Sequence, residues 1–300
     1  MRVAHQLATL VLPVYSTKIS RHDFTLPQLF ACLVLREHQK KSYRGVEELL
    51  RDALHWCKQI GMRRVPDHNT LCRAFHLFVN EYRMNQMLDL LARCFSSAKV
   101  LGSVSAIDST LYDTHHRSRH YEQRCRHYSS SKSRTANARR SLSAKRTPKL
   151  GINADVRSHV ILAAHARTGM GSDCRDFEPL LRDACRRNNI RTVLADAGYD
   201  SDANHRLARH QLGVRSLIKA GAGRPSRRPP TSAYRRQMQR QLGGSQAGRI
   251  HGQRAQVETV NSMMKRNLGD SLRARSPEAR RSEQLLRVVT HNVMLALRRN

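Results

Sequence analysis

Apolar positions divide the chain into two unlike parts. Between residues 25 and 97, LPQLFACLVLREHQ, RGVEELLRDALHW and EYRMNQMLDLLARCF carry apolar side chains at helical spacing. VPDHNTLCRAFHLF lies between the last two, and Pro66 with Asp67 or Asn69 predicts the start of a short helix after a turn at Gly61. From Leu101 the runs shorten. VSAID (104–108) ends in an acid followed by Ser109 and Thr110, and KLGINADV (149–156) with HVILAAHA (159–166) predicts two strands joined at Arg157-Ser158 as a hairpin. Residues 177–187 suit a helix with Leu180, Leu181 and Ala184 on one face. TVLADAGY (192–199) is a buried strand that ends in an acid and turns at Gly198. A helix over 202–212, a strand VRSLIK (214–219), a helix over 251–268 and an amphipathic helix SEQLLRVVTHNVMLAL (282–297) complete the series. Strand, hairpin, helix, strand, helix, strand, helix implies an α/β domain with a mixed sheet. The expected organisation is a helical region over 1–100 and an α/β domain over 101–300, without internal repeats.

Two stretches lack an apolar period. Residues 115–149 are rich in Arg, Lys, His and Ser, with Glu122 the only acid, and read as a loop or arm. GAGRPSRRPPTSAYRRQMQRQLGGSQAGR reads as a second basic insertion or flexible loop, at about 220–250.

Charge narrows the partner. Fifty-four Lys and Arg against 23 Asp and Glu give a formal charge of +31. Such an excess repels itself unless a polyanion neutralises it, so nucleic acid is the leading partner. The basic residues are not gathered on one amphipathic helix, which argues against a membrane surface. Aromatic content of 5% argues against a single-strand binder that stacks bases. In that light the helices of 25–97 suit a helix-turn-helix-like DNA reader, a scaffold or a dimer interface.

Seven cysteines with no Cys-x2-Cys spacing fit reduced thiols better than disulfides or structural zinc. The start, MRVAHQLATLVLPVYS, has a short apolar run but no cleavage signal, and no segment approaches the roughly 18 apolar residues of a membrane span. A cytoplasmic protein is expected.

The chemistry gathers around HGQRAQVETVNSMMKRNL (251–268). On one helix His251, Arg254, Glu258 and Lys265 fall within about 60° of one another, beside an apolar strip of Val257, Val260, Met264 and Leu268. Glu258 is the first acid after Asp202, 55 acid-free residues earlier. A carboxylate flanked by Arg and Lys suits a site handling a metal ion and a phosphate, and equally an ordinary surface Arg–Glu pair. Asp108 and Asp196 end predicted strands, so they can converge at one edge of a sheet with Glu258 from a helix packed across it. Hard cations such as Mg²⁺ take carboxylates together with substrate phosphates and water, and such ions assist in-line phosphodiester displacement. Asp200 and Asp202 rival Asp196 but suit helix capping. Asp113 rivals Asp108 but lies beyond the apolar run, and Asp155 and Asp173 read as turn or loop acids. His115, His116, His120 and His127 near Cys125 lack a regular zinc pattern. Tyr112 and Tyr199 read as packing residues.

AIDST around Asp108, VLADAGYD around Asp196, and Arg254-x3-Glu258-x6-Lys265 resemble the DDE transposases of bacterial insertion sequences, in the subgroup with the signature Tyr-x2-Arg-x3-Glu-x6-Lys. SYRGVEELLRD and KLGINADVRSHVILAA extend the resemblance over roughly residues 15–298. It implies a ribonuclease-H-like core, with Asp108, Asp196 and Glu258 binding Mg²⁺ or Mn²⁺ and His251, Arg254 and Lys265 contacting DNA. It also implies cleavage at the element's ends, freeing a 3′-OH that attacks target DNA, and a dimer on double-stranded DNA in a bacterial, nucleoid-associated setting. A DNA-binding relic without catalysis and a related ribonuclease-H-like nuclease are the competing readings. The chain departs from the signature at His251, which stands where Tyr is expected.

Overall fold

The computed structural model describes residues 1–19, 21–115, 147–169, 171–221 and 232–297. The basic stretch of 115–149 and its His/Cys group therefore lie mostly outside the described residues.

Six helices come first: α1 (Arg2–Thr9), α2 (Leu26–His38), α3 (Tyr43–Asp52), α4 (Leu54–Lys58), α5 (His68–Phe78) and α6 (Glu81–Ser97). Their starts follow local chemistry. Thr25 and Gln28 form a reciprocal capping box at α2, and Asp67 accepts from the Asn69 and Thr70 amides at α5, satisfying donors that a helix start leaves open. Gly61 adopts a positive φ of 68° at the turn before α5, as its position predicts.

Strands β1 (Val104–Leu111), β3 (Pro148–Asp155), β4 (Ile161–Thr168), β5 (Thr192–Ala195) and β6 (Arg215–Ile218) form one sheet in the order β4-β3-β1-β5-β6. The β4–β3 and β3–β1 pairs are antiparallel, whereas β1–β5 and β5–β6 are parallel. A two-residue strand β2 (Asp113–Thr114) pairs with β7 (Ser271–Leu272) just beyond the end of β1. Helix α7 (Cys174–Arg187) packs on β3 and β4. The opposite face is covered by α11 (Ala255–Leu268) and α12 (Pro277–Leu297). Covered on both sides, β3 is buried along its whole length. This is the mixed sheet with flanking helices, after a helical N-terminal region, that the sequence implied.

Three local readings change. The helix expected over 202–212 is a short α8 (Asp202–Arg206) continued by a π-turn at Leu207–Gln211. The stretch read as a loop contains α9 (Ala233–Leu242), capped by Ser232, and α10 (Ser245–Gly252). Its polar, Arg-rich sequence hides the helix because only Met238 of α9 is fully buried. The single helix expected over 251–268 is broken between α10 and α11. Gly252 carries the weakest helix propensity short of Pro, and the i→i+3 bonds Gln253 N–H to Ile250 O and Arg254 N–H to His251 O turn the chain there.

The N-terminal helices and the sheet share one core. A buried ionic cluster joins them at α12: Arg287 Nε donates to Glu37 Oε2 at 3.0 Å, and Arg287 Nη2 to Glu283 Oε1 at 2.9 Å. Arg36 bonds Glu37 at 2.6 Å, and Arg287 also donates to the carbonyls of Gly269 and Ser271. Glu37, Glu283 and Arg287 are each at most 1% exposed, so every charge there depends on its partners.

Candidate active site

Strand alternation divides the site into two sides. Along β1, Asp108 points toward α11 and Ser109 toward α7, because successive side chains leave opposite faces of a strand. Asn261 Nδ2 of α11 donates to Asp108 Oδ2 at 2.9 Å. Ser109 Oγ donates to Asp173 Oδ1, at the start of α7, at 2.6 Å.

Asp196 follows β5 directly. The last paired positions of the parallel β1–β5 ladder are Ile107 and Ala195, so the register sets Asp108 and Asp196 side by side, one residue further on. Asp196 Oδ1 accepts from the Gly198 amide at 2.9 Å, capping the 3-10 turn Ala197–Tyr199. A Cβ on Gly198 would come within 3.1 Å of Asp196 Oδ1 and 3.2 Å of Asp173 Oδ2, so any larger residue there would press both carboxylates to shift. Burial pushes the Asp108 carboxyl above its usual range, and the neighbouring Asp196 charge pushes the same way; the Ser109 amide, Asn261 and Arg254 pull it down without cancelling the rise. Two acids on one sheet edge, one of them resisting ionisation, form a pair that a cation would relieve.

Helix α11 carries the remaining candidates. Glu258 stands one turn before Asn261 on the same helix; its side chain is 54% exposed and accepts from Arg254 at 2.7 Å. Among the described residues no group of three His, Cys, Asp or Glu side chains lies close enough to hold a metal ion. Arg254 supplies Glu258 with a counter-charge, whereas two carboxylates already repel at Asp108 and Asp196. Lys265 Nζ lies 5.7 Å from the centre of the Tyr112 ring, with the Arg287 guanidinium 5.5 Å from it. Tyr112 is 1% exposed and Tyr199 equally so, which fits their reading as packing residues. His251, on α10, bonds through Nε2 to the carbonyl of Ala195 at 3.2 Å, next to Asp196.

The rival acids have other work. Asp200 is not a helix cap; it accepts from Arg235 Nε at 2.7 Å and from the Gly221 amide, while Ser201 caps α8. Asp202 accepts from Ser232 Oγ and so ties α8 to the start of α9. Asp155 closes the β3–β4 turn by accepting from the Ser158 amide and hydroxyl. Asn261 escaped the sequence reading. Its signal was a polar residue, 7% exposed, set between the apolar positions of α11 and on the face of Arg254, Glu258 and Lys265.

No helix of the described residues is long and apolar enough to cross a membrane. Among solved structures, the chain is similar to the Mos1 strand transfer complex at 10% identity, covering 87% of this chain and 82% of that one with a TM-score of 0.26. It is similar to the Mos1 transposase paired-end complex with left transposon end at 9% identity, covering 84% and 80% with a TM-score of 0.25. No curated protein matches it. The family model described as the Transposase DDE domain matches residues 100–293, which span β1 to α12 and contain Asp108 within β1, Asp196 just after β5 and the α11 face. The chain belongs to the DDE transposase family.

Proposed function

We propose that the protein is an active transposase that cleaves the ends of its own insertion sequence and joins the freed 3′-OH to target DNA. The observation that carries this reading is the side-by-side placement of Asp108 and Asp196 at the shared edge of β1 and β5. Their oxygen donors suit a hard divalent cation, which would relieve the repulsion that adds to burial in raising the Asp108 carboxyl. Asp108 and Asp196, joined by Glu258, would hold Mg²⁺ or Mn²⁺. When bound, such ions stabilise charge on the attacking and leaving oxygens of an in-line phosphodiester displacement.

The chain's own residues supply the rest. Asn261 donates to Asp108 and favours its ionised, ligating form. Arg254 and Lys265 offer cations for the phosphates that flank the cut, and His251 braces the carbonyl just before Asp196. Residues 1–100 bind the element's ends, contribute to pairing of two copies, or do both. On α5 the exposed Asn69, Arg73 and His76 fit such contacts, with Arg63 and Arg64 just before the helix. Joining two ends calls for two protomers on DNA.

A DNA-binding relic is the second reading, favoured by the Arg254–Glu258 pair and by the absence of a three-acid group among the described residues. Gel assays on DNA carrying the element's ends separate the alternatives. An active transposase nicks the ends in Mg²⁺ and transfers the strand, while Glu258→Gln binds the same DNA and leaves it uncut. A relic binds without cutting, and a plain nuclease cuts without joining. Binding should also weaken about 10³–10⁵-fold between 50 and 200 mM salt if some 6–10 phosphates are contacted.

A further inference from the structure

Asp173 lies at the start of α7, across the sheet from Asp108, and takes no part in the acid pair. Asp commonly caps a helix start, yet the Asp173 side chain makes no capping bond there. Its carboxylate instead reaches Ser109, next to Asp108, and faces the Gly198 turn. Through Oδ1 it accepts from Ser109 Oγ at 2.6 Å, one residue after Asp108, and pairs with Lys149 Nζ of β3 at 2.5 Å. Its Oδ2 faces Gly198, near enough that a Cβ there would meet it at 3.2 Å, and the Gly198 amide holds Asp196. The next residue, Cys174, donates from Sγ to the Gly198 carbonyl at 3.1 Å.

Lys149 is 4% exposed and donates also to the Gly171 carbonyl at 2.9 Å. Lys149 Nζ also lies 3.6 Å from Oδ2 of Asp176, the acid that Arg167 and His165 hold through Oδ1, so Asp173 at 2.5 Å is the nearer of its two counter-charges. A buried cation thus fixes Asp173, whose bond to Ser109 holds the strand carrying one acid, while Cys174 beside it holds the turn carrying the other.

We infer that Asp173 is a positioning residue, which with Ser109 and the Gly198 turn sets the separation of Asp108 and Asp196. The inference rests on the transposase reading for its purpose, though the contacts stand without it.

The test uses the full chain and two readouts: Mn²⁺ affinity by electron paramagnetic resonance, and amide exchange over residues 195–200. Asp173→Ala and Ser109→Ala should each weaken Mn²⁺ binding by about 10-fold or more, the scale for residues that orient metal ligands. Exchange at the Gly198 turn should quicken in Asp173→Ala. Asp173→Asn, which still accepts from Ser109, should retain part of the affinity. Leu71→Ala, a core truncation in α5, controls for general destabilisation and should leave Mn²⁺ affinity within twofold.

Affinity within twofold of wild type in Asp173→Ala overturns the inference. A loss in Asp173→Ala without one in Ser109→Ala overturns it too, because Asp173 would then act through its own charge. If wild type takes up no Mn²⁺, the transposase reading fails and exchange decides alone. Faster exchange in Asp173→Ala then sustains the positioning role, and unchanged exchange ends it.

Discussion

Asn261 Nδ2 donates to Asp108 Oδ2 at 2.9 Å, linking the middle of α11 to the central strand of the sheet. A bond to the ionised carboxylate favours the form that ligates cations. Asn261→Ala removes that donor from a carboxyl already resisting ionisation. Cleavage should fall about 10–100-fold, the scale for partners that orient ligands, with DNA affinity unchanged. A higher Mg²⁺ requirement in the rate profile would locate the loss at the acid pair; a variant as fast as wild type would remove Asn261 from the site.

Asp108→Asn should stabilise the fold while abolishing cleavage. Burial and the Asp196 charge raise the Asp108 carboxyl, so folding disfavours its ionised form. A raised carboxyl contributes stability that is present below the unfolded value, about 3.9, and lost as pH rises through the folded value. The melting temperature of Asp108→Asn should therefore exceed that of wild type by a few degrees near pH 7, within the roughly 0.5–2 kcal/mol typical of stabilising substitutions. The gap should close as pH falls below about 4. A variant less stable than wild type at pH 7 would contradict this account.

Arg287→Met should be among the most damaging single changes outside the site. It strips Glu37 and Glu283 of their shared partner in a region at most 1% exposed. Removing one member of a buried pair costs about 3–5 kcal/mol because the other charge is left uncompensated. Urea unfolding would measure it, and a cost under about 1 kcal/mol would show that water reaches the cluster.

His205 gives the fold an acid limit. Burial, assisted by Arg209, lowers its pKa to about 4, and its Nδ1 pairs with Ser216 Oγ at 2.8 Å. A depressed imidazole contributes stability that is present above its unfolded value, about 6.5, and lost as pH falls through the folded one. Melting temperatures followed from pH 7 to 4 should drop more steeply in wild type than in His205→Asn. Parallel slopes would mean that folding leaves the proton affinity of His205 unchanged.

How much of this was legible in the sequence depends on how local each cause is. The strand ending before Asp196, the β3–β4 hairpin and the Asp67 cap follow from patterns within a few residues of one another, and they appear where expected. Strand β1 instead runs past Asp108 to Leu111, because its pairing with β3 continues there. The break at Gly252–Arg254 and helix α9 were missed because their causes are a single weak helix former and a helix with little apolar face. Asn261 and Asp173 were harder still. Their meaning lies in Asp108, Ser109 and Lys149, which are distant in sequence and meet them only once β1 and β3 are paired and α7 and α11 lie on opposite faces.

The bond from Arg287 to Glu37 spans 250 positions, and this sets an order of events during synthesis. Glu37 leaves the ribosome early, but its partner is made only near the end. At roughly 5–20 residues per second, on the order of 12–50 s separate the two. Throughout that interval the helices of the N-terminal region cannot close over their charged seam, so the chain completes this seam only after the sheet, the Asp196 turn and α11 have been synthesised. A product cut short before α12 would carry every candidate catalytic residue and still leave Glu37 with only Arg36 of its two buried cations.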